Sequence, residues 1–146
     1  MTQHRLLVLC TGNICRSPLA EAWFRRELGH RAVVESAGLG ALVGKPADPM
    51  AIDVARENGL DLTSHVARQI TPDMIRHASL VLTMETRQRD QVLKLAPWAT
   101  GKVWRIAHHM GQDVPDPYRS TREAFGITYH LISPAGRHWL SFAKDA

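Results

Sequence analysis

Arg5-Leu6-Leu7-Val8-Leu9 is a short apolar run closed by the polar turn Thr11-Gly12-Asn13, and it predicts a buried strand. Ser17-Pro18 follows as an N-cap and first-turn proline, opening a helix with Leu19, Trp23, Phe24 and Leu28 as its apolar stripe. Gly29 is its stop. Ala32 to Ser36 predicts a second strand, followed by a Gly/Pro-rich loop from Ala37 to Ala47. Asp48-Pro49 repeats the cap-plus-proline signal for a helix ending near Asn58-Gly59, and Thr71-Pro72 opens a shorter one. Leu80 to Thr83 is the third strand. A helix over Thr86 to Ala96 is expected to turn Val92, Leu93 and Leu95 inward. Lys102 to Ile106 is the fourth strand, and Val114 to Tyr118 a loop. Ser120 to Glu123 has capping-box spacing, and the last helix aligns Ala124, Ile127, Leu131, Ala135, Trp139 and Phe142. Pro134 should kink or restart it near Ser133.

Strands alternating with helices argue for a parallel sheet covered on both faces, an α/β chain. The expectation is a three-layer α/β/α sandwich with a four-stranded parallel sheet, Rossmann-like or flavodoxin-like. At 146 residues, one domain over 1–146 is expected. No apolar run approaches the ~20 residues that span a bilayer. MTQHRLLVLC also lacks a signal peptide's long apolar segment, so no membrane insertion and a cytoplasmic location are expected. The charge of +4 is scattered, with no run of five or six Lys/Arg. That makes nucleic acid a remote partner and leaves an acidic or phosphorylated one open. His108-His109 lacks a metal-ligand spacing, so no metal and no cofactor are expected.

In such sheets ligands bind beyond the carboxyl ends of the strands, which is where Cys10 to Ser17 falls. Backbone N–H groups between a strand and a helix start can curl around an anion, aided by the helix dipole. A Cys at the base of that nest has its thiolate stabilised and becomes a nucleophile near neutral pH. Arg16 can return to the same anion as a planar fork. Gly12 and Asn13 tolerate the left-handed backbone of a tight cradle. Cys10, Thr11, Gly12, Asn13, Ile14, Cys15, Arg16 and Ser17 together describe a phosphate-binding loop with a thiolate aimed at phosphorus.

The run Cys10 to Pro18 resembles the active-site loop of the low-molecular-weight protein tyrosine phosphatases. The likeness continues through Ser36-Ala37-Gly38, Ser64 to Gln69 and Asp116-Pro117-Tyr118, in family order over essentially the whole chain. Ser36 to Lys45 and Pro115 to Arg119 suggest the bacterial branch paired with tyrosine kinases of capsule and exopolysaccharide export. The resemblance implies Cys10 as nucleophile, Arg16 as transition-state clamp and Ser17 as hydroxyl donor to the sulfur. It implies Asn13, Ser36 and His65 as the network holding the loop. Asp116 is then general acid and later general base, and Leu42 and Tyr118 line the walls for a substrate ring. Cys15 is either packing or a redox guard that forms a reversible disulfide with Cys10, and the resemblance favours the guard. The implied partner is a phosphotyrosine protein, a bacterial tyrosine kinase, with the phosphatase a monomer or weak dimer. One Tyr follows Asp116-Pro117, with Arg119 next, where eukaryotic members often carry two aromatics.

Physical chemistry supports the acid: a phenolate leaves more readily when a carboxylic acid protonates it. Three rivals differ in chemistry. Thioredoxin-coupled arsenate reductases need cysteines beyond Cys15, which the chain lacks. Protein arginine phosphatases place Thr where Ile14 stands, and an apolar side chain suits a phenyl ring better than a guanidinium. A non-catalytic phosphopeptide reader has no need of an intact Cys10, Arg16 and Asp116.

Overall fold

The computed structural model describes residues 3–144. Strands β1 (His4–Cys10), β2 (Ala32–Gly38), β3 (Leu80–Thr83) and β4 (Val103–Arg105) alternate with helices. These are α1 (Arg16–Leu28), α2 (Pro49–Glu57), α3 (Pro72–His77), α4 (Thr86–Leu95) and α5 (Arg122–Arg137). All three strand pairings are parallel, in the order β2-β1-β3-β4.

Side-chain alternation along β1 sets the layers. Leu6, Val8 and Cys10 join Trp23, Phe24, Val54 and Phe125, so α1, α2 and α5 cover one face. Leu7 and Leu9 join Ile75 and Val92, placing α3 and α4 on the other. The three-layer α/β/α expectation holds. None of the helices described is long and apolar enough to cross a membrane. Because β2 and β3 flank β1 on opposite sides, the chain leaves β1 one way and later returns on the other. That reversal opens a crevice at the carboxyl ends of β1 and β3.

Local signals are read correctly where side chains cap helices. Asp48 accepts from Met50 N–H at 2.9 Å and Thr71 from Met74 N–H at 3.2 Å, each ahead of a first-turn proline. Elsewhere tertiary demands win. Helix α1 starts at Arg16 with Cys15 as N-cap, so Ser17 is inside the first turn and not its cap. The cap of α5 is Thr121, bonded to Ala124 N–H at 3.1 Å, and not Ser120. Leu95 is exposed and Leu93 half-buried, leaving Val92 and Gln88 as the buried residues of α4.

The inner face of α5 is Phe125, Thr128, Tyr129, Ile132, Ala135 and Gly136, whereas Ile127 is 58% exposed. Ala135 faces the core as expected, and Leu131, Trp139 and Phe142 are partly buried against it. Ile127 departs from the expected stripe, and Gly136 joins the inner face because it must meet α1: a Cβ there would lie 2.5 Å from the buried Trp23 ring. Pro134 does not restart the helix, which runs on to Arg137. Its missing N–H frees the His130 carbonyl, and both residues are on the exposed face, where a freed carbonyl costs least.

Candidate active site

The loop after β1 owes its shape to its carbonyls. The carbonyl oxygens of Cys10, Thr11 and Gly12 each accept at 3.0 Å from the N–H groups of Leu39, Gly40 and Leu42. That of Ile14 accepts from Asp48 N–H at 2.9 Å, and that of Asn13 from His65 Nε2 at 2.6 Å. In a trans peptide the N–H points opposite to the carbonyl, so five outward carbonyls turn the following N–H groups toward the concave side. The Gly/Pro-rich segment after β2 is therefore the scaffold of the loop. Gly38 permits the approach: a Cβ there would sit 2.5 Å from the Thr11 carbonyl oxygen.

Asn13 is left-handed, with φ 59°, as expected for a short amide side chain. Gly12 is not left-handed, and a Cβ on it would meet only ordinary contacts.

Inside the loop the hydrogen bonds have one direction. Arg68 N–H donates to Asn13 Oδ1 at 3.0 Å, which fixes the amide and aims Nδ2 at Ser17 Oγ (2.8 Å) and Ser36 Oγ (3.0 Å). Ser17 accepts from Asn13, so its own proton is left for Cys10 Sγ, 2.9 Å away. Asn13 N–H also reaches that sulfur at 3.3 Å. Ser36 in turn donates to Glu21, whose carboxylate is paired with Arg25 at 2.6 Å and lies 4.0 Å from His65 Nδ1. His65 donates to a carbonyl and holds backbone.

Arg16 is 1% exposed. One terminal nitrogen donates to the Val114 carbonyl at 2.7 Å and lies 3.4 Å from Glu85. The other is 3.6 Å from Asp116, and Nε is buried without a partner. A buried guanidinium held from behind, with an unsatisfied N–H in front, is built to take an anion's oxygens. Asp116 itself is half exposed, and its Oδ1 accepts from Tyr118 N–H at 3.0 Å.

Cys10, Thr11, Gly12, Ile14, Cys15, Arg16, Asp116, Leu42 and Tyr118 line one cavity of about 150 Å³. Ser17, Ser36 and Asn13 lie buried behind it, so every residue expected at the site is gathered there or in its support. Both cysteines are free and buried. Burial, then the nearby Asp48, Cys10 and Asp116, pushes the Cys15 thiol well up from its ordinary value, so it stays protonated at neutral pH. The adjacent histidines are on the surface, His109 stacked on His138 at 3.9 Å between centroids.

Glu21, Glu85, Gln88 and the Val114 carbonyl were not anticipated. Gln88 donates to Thr11 Oγ1 at 3.1 Å while its carbonyl oxygen accepts from Met84 and Glu85 N–H. Two signals could have found them: Glu21 is one turn after Ser17 on the same helix face, and Glu85 to Gln88 is a capping-box pair.

The low molecular weight phosphotyrosine protein phosphatase model matches residues 5–145. The low molecular weight protein-tyrosine-phosphatase Wzb of Escherichia coli K12 is 47% identical over 93% of this chain and 92% of its own. Vibrio vulnificus Wzb in complex with benzylphosphonate superposes with a TM-score of 0.90 at 39% identity, covering 96% of this chain and 99% of that one. The arginine phosphatase YwlE of Geobacillus stearothermophilus reaches 0.88 at 27% identity, over 95% and 92%. On these matches, at near full length and with the strand-loop-helix site in place, the chain belongs to the low molecular weight phosphotyrosine protein phosphatase family.

Proposed function

We propose that Cys10 attacks the phosphorus of a protein phosphotyrosine and that the phosphocysteine is then hydrolysed. In the first step the Cys10 S–P bond forms, the P–O bond to the ring breaks, and Asp116 gives its proton to the leaving phenolate. In the second, Asp116 takes a proton from water as its oxygen attacks phosphorus, and sulfur leaves toward the Ser17 hydroxyl. Arg16 follows the phosphoryl oxygens through both steps. The observation that carries this reading is the buried Arg16 Nε without a partner, beside a hydroxyl-bonded cysteine and a half-exposed carboxylate.

Ile14, Leu42 and Tyr118 in the cavity wall favour an aryl group over a guanidinium. The Vibrio protein's ligand, benzylphosphonate, pairs an aromatic ring with a phosphate-like group and supports the same choice. The natural partner, on the resemblance to the capsule and exopolysaccharide branch, is a phosphorylated bacterial tyrosine kinase met in the cytoplasm, with 1–146 acting as one domain. Cys15 guards Cys10: an oxidised Cys10 sulfenic acid condenses with the Cys15 thiol to a disulfide and water. Exposure to mild peroxide followed by thiol should restore the parent and leave Cys15→Ser inactive, and full recovery of Cys15→Ser would sink the guard.

Phosphate release from a phosphotyrosine peptide and from phosphoarginine tests the whole reading. The parent should cleave the peptide, Cys10→Ser should be inert, and Asp116→Asn should lose about 10²–10⁴-fold. Preference for phosphoarginine overturns the tyrosine assignment, and no turnover of either favours a reader.

A further inference from the structure

Among the described residues, only Asn13 and Arg119 have positive φ without being glycine: Asn13 is in the phosphate loop, and Arg119 directly follows Tyr118, which lines the cavity. For Asn13 the conformation is chemically easy. For Arg119, at φ 62°, it is not: a long side chain with a Cβ pays steric strain there that Gly or Asn largely avoids. Ser120 N–H donates to the Pro117 carbonyl at 2.8 Å, so Arg119 is the third residue of a tight turn, a position whose default occupant at positive φ is glycine. Strain kept against an available low-cost residue points to use of the side chain.

The Arg119 guanidinium carbon is 5.3 Å from the centroid of the Tyr118 ring, and Tyr118 lines the cavity above Cys10. Among the described residues Arg119 has no carboxylate within ion-pair distance and no side-chain hydrogen bond. Most other arginines here are paired or bonded to carbonyls, among them Arg25, Arg68, Arg105 and Arg122. Stacking on an aromatic face holds a guanidinium in place while leaving its N–H edge free for a bidentate acceptor.

We infer that Arg119, stacked on Tyr118 at the mouth of the phosphate cavity, is a specificity residue that binds an anionic side chain next to the target phosphotyrosine. The ligand chemistry is a pair of oxygens on a carboxylate or a second phosphate. This rests on the phosphotyrosine reading above and narrows it to acidic or multiply phosphorylated segments.

The test compares kcat/KM on three phosphotyrosine peptides that differ only beside the tyrosine: a neutral residue, Glu, or phosphoserine. The parent should prefer an anionic neighbour by about five- to tenfold, expressed in KM. Arg119→Gly suits the turn and should keep or raise the thermal midpoint, while the preference falls to within about twofold. Arg119→Lys should keep part of it as a point charge. Raising salt from about 0.05 M to about 0.5 M should shrink the parent's preference and leave that of Arg119→Gly unchanged. A preference for phosphoserine alone assigns the source as phosphate, and one for Glu alone as carboxylate. Equal kcat/KM on all three peptides in the parent, or a preference that survives in Arg119→Gly, overturns the inference. Failure to cleave any peptide would instead strike the phosphotyrosine reading itself.

Discussion

The two loops that meet at the cavity are built on opposite plans. From Cys10 to Ser17, the Asn13, Arg16 and Ser17 side chains are at most 1% exposed, and the carbonyls from Cys10 to Ile14 are each tied to another segment. From Pro115 to Ser120, all residues but Pro117 are exposed, and the acid is held by one turn hydrogen bond and a 3.6 Å approach to Arg16. The first loop must present amides and sulfur to phosphorus within a few tenths of an ångström, and buried directional hydrogen bonds supply that stiffness. The second must meet a leaving group and then a water, and exposure suits it.

The strongest way to break this contrast is Arg16→Lys. A point charge cannot span two phosphoryl oxygens while also holding Val114 and Glu85, so kcat should fall by about 10²–10³-fold in steady-state assays. Next is Asn13→Ala, which removes the donors to Ser17 and Ser36, orphans Arg68 N–H, and puts a Cβ-only residue at φ 59°. Urea titration should show a loss of about 2–4 kcal/mol, with kcat down at least tenfold. Asp116→Asn should leave the urea midpoint nearly unmoved, a stability change within about 0.5 kcal/mol, despite its large effect on activity. A comparable destabilisation by the two substitutions would erase the distinction between the loops.

The smallest effect is at the root of the exposed loop. Partial burial opposes the Asp113 charge, but hydrogen bonds from Arg105 and from Thr86 N–H and hydroxyl outweigh it, holding the carboxyl below its usual 3.8. A depressed folded value stabilises the protein above the unfolded value, and that contribution is lost as pH falls through the folded one. Asp113→Asn should therefore cost about 0.5–1 kcal/mol at pH 7, discounted for a half-exposed group, and progressively less as pH falls below 3.8 and through the depressed folded value. Thermal midpoints across that range check the convergence.

Legibility followed locality. Caps at Asp48 and Thr71, the apolar runs of β1 and β3, and the Cys10 to Arg16 spacing all act within a few residues, so they could be read directly. The place of Gly136 on the inner face of α5 could not, since it depends on meeting Trp23 across more than a hundred residues of chain. Ser17 does not cap α1 for a related reason: its hydroxyl is claimed by Cys10 and Asn13. Val114 holds Arg16 through a backbone carbonyl that no side-chain motif announces, and the capping-box pattern at Glu85 marks a helix start and says nothing of Arg16.

By itself the chain determined its parallel α/β class, its family resemblance and the residues able to bind and attack a phosphate, because hydrophobic period and loop chemistry are local properties. Only the tertiary structure decided which way the loop's amides face, which atom of Arg16 is left for a ligand, and that Arg119 stands beside Tyr118 in a strained turn. Those depend on the β2-β1-β3-β4 order, which brings segments distant in sequence to the carboxyl ends of β1 and β3 and lets their hydrogen bonds fix the site.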